Sequence, residues 1–225
     1  MIASWPCPTD TAEPRTEYAF TFDRGRPARL LILPALFDEG HKLRRLTLDV
    51  MRQLDNSGID SFLPDLPGSN ESLVSLGTVS LADWHNAVSN ARRFFGPTHL
   101  LTLRAGAVLT PPDITGWSYA PISGAMALRH LLRARIVASR EAGLTETMES
   151  LQAAGTATGI DLAGYRMGPG LFSGLQDAQA PQDGRLTPIA QDQIGGSGLW
   201  LRAEPDESPS QAHALATLIA GNLAA

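Results

Sequence analysis

Residues 28–36 (ARLLILPAL), which are apolar except for Arg29, limit the folds open to this chain more than any other segment. A run of this length is typical of a strand that a parallel sheet buries on both faces. The next segment, residues 42–54, instead carries leucines near helical spacing, with charged residues between them. Because a buried strand leads into an amphipathic helix, the pattern predicts the start of an α/β domain.

The same alternation continues along the rest of the chain. Strands are expected at residues 18–22, 59–65, 98–103, 117–120 and 199–203, and further helices at 81–95, 126–138 and 210–223. Strands that alternate with helices at this spacing predict an α/β fold, a mostly parallel sheet with helices on both faces.

Two segments depart from this alternation. Residues 1–16 are polar and proline-rich, and we expect them to form a loose N-terminal arm before a single domain at 17–225. Residues 139–190 combine weak helical patterns with links rich in Gly, Pro and Gln. We expect this second segment to be a small helical insertion before the last strand, lying across the strand ends.

Composition and motifs exclude several classes of protein. Eighteen basic and 23 acidic side chains give a net charge of -5, which disfavours binding to nucleic acid. Cys7 is the single cysteine, so an internal disulfide and a thiolate zinc site are excluded. The histidines are scattered, and neither a G-x-G-x-x-G after the first strand nor a P-loop is present. We therefore predict no metal and no cofactor.

The hydropathy of the chain bears on the cellular location of the protein. No apolar run approaches the roughly 18 residues of a membrane span. Residues 1–6 (MIASWP) lack the basic and apolar segments of a signal peptide. A cytoplasmic protein is therefore expected.

The strand predicted at 98–103 is followed by small residues, the pattern of a nucleophile elbow. In that alignment Arg104 occupies the nucleophile position. A guanidinium does not deprotonate at neutral pH, so it cannot attack a carbonyl. It also lies near a predicted helix N-terminus, where positive charge is disfavoured, so an acidic partner is expected. A second match, Ser118 in GWSYA, follows a proline pair rather than a strand and is better explained as a strand serine.

Residues 36–45 (LFDEGHKLRR) and 65–72 (DLPGSNES) resemble the FAEEMNKxRR and DLPGCGDS stretches of the exosortase A system-associated hydrolases, especially the second type. Residues 103–107 (LRAGA) are similar to that family's LRxGA, where the second type also carries arginine at the elbow. Weaker similarities follow in the same order at 121–124, 131–135 and 163–167.

The resemblance implies an α/β-hydrolase fold and a setting beside bacterial exopolysaccharide and protein-sorting genes. It also implies a catalytic acid after the strand predicted at 199–203, for which Asp206 is the candidate, with Glu204 and Glu207 nearby. A catalytic histidine should follow a further strand, and His213 is the single histidine beyond that point. The triad is therefore expected to be incomplete.

Ligands bind beyond the carboxyl ends of the strands in open parallel sheets. The candidate binding residues at these ends are Phe37, Asp38, Glu39, Lys42, Arg45, Asp65 and Arg104. Three interpretations stay open: an ion-pair network that replaces the triad, an anion pocket in which Arg104 forks onto a carboxylate or phosphate, and catalysis through a carboxylate-activated water.

Two functions follow from these interpretations. The first is a degenerate hydrolase-fold protein that binds a small anionic or acyl ligand, or interacts with a protein partner or a second copy through an exposed sheet edge. The alternative is an active hydrolase of a small acyl or sugar ester, in which Asp38, Glu39 or Asp65 activates water.

Overall fold

The structure, a computed structural model, describes residues 1–7 and 15–223. Its strands are β1 (Ile2–Pro6), β2 (Thr16–Phe22), β3 (Arg29–Leu33), β4 (Asp60–Pro64), β5 (His99–Leu103), β6 (Gly116–Tyr119), β7 (Ile160–Leu162), β8 (Tyr165–Met167) and β9 (Leu186–Ile189). Its α-helices are α1 (Asp38–Asn56), α2 (Leu81–Phe95), α3 (Gly124–Glu141), α4 (Met148–Thr158), α5 (Pro169–Asp177), α6 (Gln191–Ile194) and α7 (Pro209–Leu223). Short 3₁₀ segments lie at Leu76–Thr78, Arg104–Leu109 and Leu199–Leu201.

The main sheet has the strand order β1-β2-β4-β3-β5-β6-β9. Strands β4, β3, β5, β6 and β9 are parallel, and β1 and β2 form an antiparallel hairpin against β4. Strands β7 and β8 pair separately as a hairpin. The predicted α/β class with a mostly parallel sheet is therefore confirmed.

Alternation of side chains along β3 explains why helices cover both faces of the sheet. Leu30 and Ile32 pack in the same core as the apolar side chains of α1 and α7. Leu31 and Leu33 point to the opposite face and pack in the core formed with α2, α3 and α5. A strand buried in this way needs apolar residues on both faces, which accounts for the consecutive apolar residues 30–33 that follow Arg29.

Part of the segment expected to be a loose arm is ordered structure. Residues Ile2–Pro6 form edge strand β1, and Trp5 is fully buried. The Trp5 indole packs 6.2 Å from the Phe95 ring and donates a hydrogen bond to the carbonyl oxygen of Tyr18 at 3.1 Å. Burial of one large aromatic residue orders a segment that looks polar and flexible in the sequence. The remaining part of the predicted arm, residues 8–14, lies outside the described residues.

The last strand lies earlier in the chain than expected. Residues 199–203, predicted as a strand, contain the 3₁₀ segment Leu199–Leu201. The strand that pairs with β6 is β9, inside the segment 139–190 predicted as an insertion. That segment also begins within α3 and holds α4, the β7–β8 hairpin and α5. A four-residue strand that contains Pro188 gives too weak a pattern to be recognised.

The outer edge of β9 is poorly suited to hydrogen-bonded pairing with another strand. The carbonyl oxygens of Arg185 and Ile189 accept hydrogen bonds from β6, so by alternation Leu186 and Pro188 direct their backbone groups away from β6. Proline has no N–H, so this edge lacks the donor that a further strand needs at position 188. Association of two copies through a sheet edge stays a prediction. The outer edge of β9 does not favour such pairing.

Candidate functional site

The bend after β5 is built around Arg104 and Gly106. Arg104 has a φ of 51°, a conformation that non-glycine residues rarely adopt. A Cβ atom at Gly106 would lie 2.3 Å from the carbonyl oxygen of Pro34, so only glycine fits where the chain turns against β3. Arg104 therefore stands at a sharp corner at the carboxyl end of a central strand, and a 3₁₀ segment follows instead of the predicted helix.

The Arg104 side chain is buried and bonded along both edges of its guanidinium. Its Nε and Nη2 donate hydrogen bonds to the two carboxylate oxygens of Glu39, at 2.9 and 3.0 Å. Its Nη1 donates to the carbonyl oxygen of Ala120 at 2.8 Å, and the group lies over the Trp200 ring, 4.1 Å from its centroid. The side chains of Arg104 and Glu39 are only 8% and 14% exposed. This is a bidentate ion pair, the strongest form of charged hydrogen bonding between side chains.

Glu39 reaches Arg104 from the first turn of α1. A carboxylate there is stabilised by the positive end of the helix dipole. Phe37, which precedes the helix, has a φ of 57°, and Ala120, whose oxygen contacts Arg104, has a φ of 45°. Strained backbone at three positions around one ion pair persists only where the surrounding structure enforces it, and such positions concentrate at functional sites.

A cavity of about 560 Å³ lies next to this ion pair. Its walls are mostly apolar and come from the residues before α1, from α3, from the β7–β8 turn and from the 3₁₀ segment at 199–201. Its polar lining is Asp38, Glu39, Lys42 and His130. Lys42 Nζ lies 2.7 Å from Asp38 Oδ2, and His130 Nδ1 lies 3.7 Å from Glu39 Oε1. The cavity therefore offers mainly apolar walls to an apolar group, together with four charged or polar side chains that a polar group could contact.

Four of the predicted binding residues line this cavity: Phe37, Asp38, Glu39 and Lys42. Phe37 also packs against Trp84 and Tyr165, with ring centroids 5.9 and 5.3 Å apart. Arg104 is held directly behind Glu39. The convergence expected at these strand ends is thus present for five of the seven residues.

The other two predicted binding residues lie elsewhere. Arg45 is 57% exposed and pairs with Asp49 and Glu207, at 2.9 and 3.3 Å. Asp65 contacts Asn70 Nδ2 at 2.6 Å and Arg44 Nη1 at 3.6 Å, and it lines a separate hollow. Helical geometry explains why Arg45 lies away from the cavity, because its side chain leaves α1 on a different face from that of Glu39.

The residues considered for a catalytic triad do not come together around Arg104. Asp206 is 51% exposed and its described partner is Arg202, 3.6 Å away, because residues 199–203 do not form the strand that would deliver an acid. His213 lies on α7, with Nδ1 2.9 Å from Gln53 Oε1. Ser118 is buried in the middle of β6, opposite Thr102 and not at a strand end.

Two contributors to the site escaped the sequence analysis. Trp200 covers the Arg104 guanidinium and is held by Tyr119, with ring centroids 5.7 Å apart. His130 was grouped with scattered histidines, although it shares a helix face with Ala127 and Ala134, which line the same cavity. The helical spacing of these three residues is a signal that could have revealed His130.

A buried carboxylate beside Asp65 makes stability depend on pH. Burial raises the pKa of Glu17 above its ordinary value, although the Ser72 hydroxyl donates to its Oε1 at 2.8 Å. A raised carboxyl pKa in the folded state means that stability is highest below the unfolded pKa, about 4.3, and falls as the pH rises through the folded pKa. We therefore expect Glu17→Gln to raise the Tm relative to wild type at pH ~8 and not at pH ~4. Glu71→Gln, at an exposed carboxylate nearby, serves as the control, and an equal gain for both variants would contradict this account.

Comparison with known proteins identifies the fold. Neither a protein-family model nor a curated protein matches the sequence. The mouse alpha/beta hydrolase domain-containing protein 10 aligns over 100% of this chain and 98% of its own, at 10% identity and a TM-score of 0.55. Est1E from Butyrivibrio proteoclasticus, solved with ferulic acid bound, aligns over 73% of this chain and 68% of its own, at 14% identity and a TM-score of 0.50.

A further solved structure, from Agrobacterium vitis S4, aligns over 62% of this chain, at 12% identity and a TM-score of 0.44, and the chain spans 59% of that protein's length. The likeness to the mouse protein and to Est1E, at 10% and 14% identity, establishes the fold alone. The protein has the α/β-hydrolase fold.

Two features are absent from the described residues. Within residues 1–7 and 15–223, no three His, Cys, Asp or Glu side chains gather as a metal-binding group. In the same part of the chain, no helix combines the length and the hydrophobicity needed to cross a membrane.

Proposed function

We propose that this protein is a binding component with the α/β-hydrolase fold, that it lacks serine-type catalysis, and that its cavity takes a small ligand with an apolar acyl body. The observation that carries the proposal is the Arg104–Glu39 ion pair, at the bend where enzymes of this fold hold their nucleophile. A guanidinium stays protonated at neutral pH, so it neither attacks a carbonyl nor accepts a proton.

The contacts of Arg104 favour an acyl ligand over an anionic one. An anion that forked onto Arg104 would have to displace Glu39, whose two oxygens already occupy Nε and Nη2. Displacement would leave the Glu39 carboxylate without its partner in a largely buried place, which costs several kcal/mol. The cavity beside it has mainly apolar walls. Burial of a hydrocarbon chain there contributes about 0.8 kcal/mol per methylene group.

The same contacts count against the alternative, an ester hydrolase that uses a carboxylate-activated water. A general base must reach the water within hydrogen-bonding distance. Both oxygens of Glu39 accept from Arg104, Asp38 pairs with Lys42, and Asp65 lines a different hollow. The two of these carboxylates that line the cavity are therefore already ion-paired, and the third lies outside the cavity.

The setting of this proposed role comes from the sequence. Residues 36–45, 65–72 and 103–107 are those most similar to the exosortase A system-associated hydrolases. This similarity supports a binding or interaction role close to bacterial exopolysaccharide or protein-sorting machinery. In a bacterium that carries the gene, we expect its deletion to alter exopolysaccharide yield. We expect a reintroduced copy of the gene that keeps Arg104 to restore that yield.

Binding and turnover can be measured with one acyl group. Octanamide, which resists hydrolysis, is expected to raise the Tm in a dose-dependent way, because a ligand that binds the folded state stabilises it by mass action. The corresponding p-nitrophenyl octanoate is expected to release nitrophenol no faster than in buffer. Turnover that is saturable and proportional to protein concentration would contradict the proposal, as would the absence of any Tm shift.

A matched pair of variants on α3 locates the ligand. Ala134 lines the cavity, whereas Ala138 is exposed on the same helix and does not line it. Ala134→Trp is expected to fill the cavity and abolish the Tm shift, and Ala138→Trp is expected to keep it. Equal responses from the two variants would place the ligand elsewhere.

A further inference from the structure

The outer face of α3 carries unpaired positive charge. Arg129, Arg133 and Arg140 are exposed there, and across residues 1–7 and 15–223 none of them has a carboxylate oxygen within 4.0 Å of a guanidinium nitrogen. Met126 and Val137 accompany them and are 46% and 55% exposed. At 3.6 residues per turn these five side chains fall within an arc of about 80°. We call this set of five residues the α3 arginine stripe.

Most arginines outside the stripe have acidic partners. Arg135, on another face of the same helix, forms a bidentate pair with Glu146, at 2.7 and 3.0 Å. Arg52 on α1 and the half-buried Arg92 on α2 also have acidic partners, Asp49 and Asp113. Exposed Arg93 and Arg166 have no such partner among the described residues, but neither of them lies on α3. In a chain with a net charge of -5, three neighbouring arginines without such partners form a local cationic surface.

A hollow of about 330 Å³ borders the stripe. It lies between α3, α4 and α5, its floor includes Leu128, Leu132 and Phe172, and Arg129 stands at its rim. The stripe therefore combines cations, two exposed apolar side chains and an adjacent apolar hollow. Protein partners fill such hollows with apolar anchors, while charge pairs at the rim select the partner.

We propose that the α3 arginine stripe docks an acidic amphipathic helix of a partner protein. Its carboxylates would pair with Arg129, Arg133 and Arg140, and its apolar side chains would cover Met126 and Val137 and enter the hollow. The stripe spans residues 126–140, about 21 Å at 1.5 Å per residue, so a partner helix of about four turns matches it. The proposal does not depend on the ligand proposed for the cavity.

The structure favours this occupant over two others that arginines attract. A membrane-surface helix needs a broad apolar face free to enter the lipid, but the apolar side of α3 is committed to the core through Leu128, Leu131 and Leu132. A nucleic-acid surface needs many phosphate contacts, and three arginines on an acidic protein supply few.

Binding of a synthetic helical peptide tests the proposal by fluorescence anisotropy at low and high salt. The probe carries Glu at four-residue spacing with Leu beside it, and its isomer carries Gln in place of Glu. We expect the Glu peptide to bind at least ~10-fold more tightly than the Gln peptide, and to weaken at high salt because exposed charges are screened. Equal binding of the two peptides would overturn the proposal.

Variants separate docking from general charge attraction. Arg129→Gln/Arg133→Gln/Arg140→Gln is expected to weaken Glu-peptide binding at least ~10-fold, and Val137→Ser severalfold. The control Arg45→Gln/Arg52→Gln/Arg202→Gln, which removes three exposed arginines elsewhere, is expected to bind as wild type does. Circular dichroism and Tm verify that each variant is folded. Insensitivity to Val137→Ser, or tighter binding to phosphatidylserine vesicles or duplex DNA than to the peptide, would overturn the proposal.

Discussion

Replacement of Glu39 with alanine is expected to lower the free energy of unfolding by about 3 kcal/mol or more, because it leaves the buried Arg104 charge without its partner. Two short hydrogen bonds to Arg104 disappear, while the contacts to Ala120 and Trp200 remain and hold the guanidinium in place. Chemical denaturation at neutral pH measures the change.

The Arg135–Glu146 pair provides the control, because it has the same bidentate geometry but is 39% and 24% exposed. Glu146→Ala is expected to lose far less stability, since water and salt screen exposed pairs. The double variant Glu39→Leu/Arg104→Met, which removes both charges, is expected to recover most of the loss from Glu39→Ala. If Glu39→Ala is no more costly than Glu146→Ala, the Arg104–Glu39 pair does not hold the site together.

The second large effect is expected at Gly106. A Cβ atom there would lie 2.3 Å from Pro34 O and 2.9 Å from Leu33 O, backbone atoms at the end of central strand β3 and just after it, which cannot easily move aside. We expect Gly106→Ala to cost more than about 3 kcal/mol or to prevent folding, beyond the usual 1–3 kcal/mol of overpacking. Soluble yield and thermal denaturation measure this effect.

Gly221 supplies the matched substitution, because a Cβ atom there would meet nothing within 4 Å. Gly221→Ala is expected to leave the Tm unchanged or slightly higher, since alanine favours a helix. A Gly106→Ala protein with the Tm of wild type would show that the bend after β5 is not packed as described.

Local signals in the sequence were sufficient for the central part of the fold. The largely apolar segment 28–36 predicted β3 because a strand buried on both faces needs consecutive apolar side chains, as at residues 30–33. Residues 98–106 predicted the corner at Arg104, because a tight bend requires small neighbours. Both patterns are complete within a few residues, so no distant contact was needed to recognise them.

Other elements depend on distant partners, and the sequence did not reveal them. Trp5 lies in a polar segment, and β1 forms because its indole finds Phe95 and the backbone of Tyr18. Strand β9 is short and contains Pro188, and its pairing with β6 is what defines it. Trp200 was assigned to a strand, whereas its stacking on Arg104 joins residues far apart in sequence.

A fold does not determine an activity, so the activity has to be argued from the side chains at this site. Arg104 at the bend after β5 and Phe37 before α1 both adopt positive φ angles, of 51° and 57°. The side chains of Arg104 and Glu39 form an ion pair there, in which each neutralises the charge of the other. The rigid corner then positions the wall of a cavity, which is consistent with the binding role we propose.

Reaction with a fluorophosphonate tests the absence of serine-type catalysis most directly, because this reagent phosphonylates an activated serine with loss of fluoride, whatever the natural substrate is. Intact-mass spectrometry of the wild-type protein after incubation is expected to show the unmodified mass, alongside a serine esterase that reacts fully. A stoichiometric adduct that maps to Ser118 or to any other hydroxyl, and that is lost when this residue is replaced with alanine, would contradict the account.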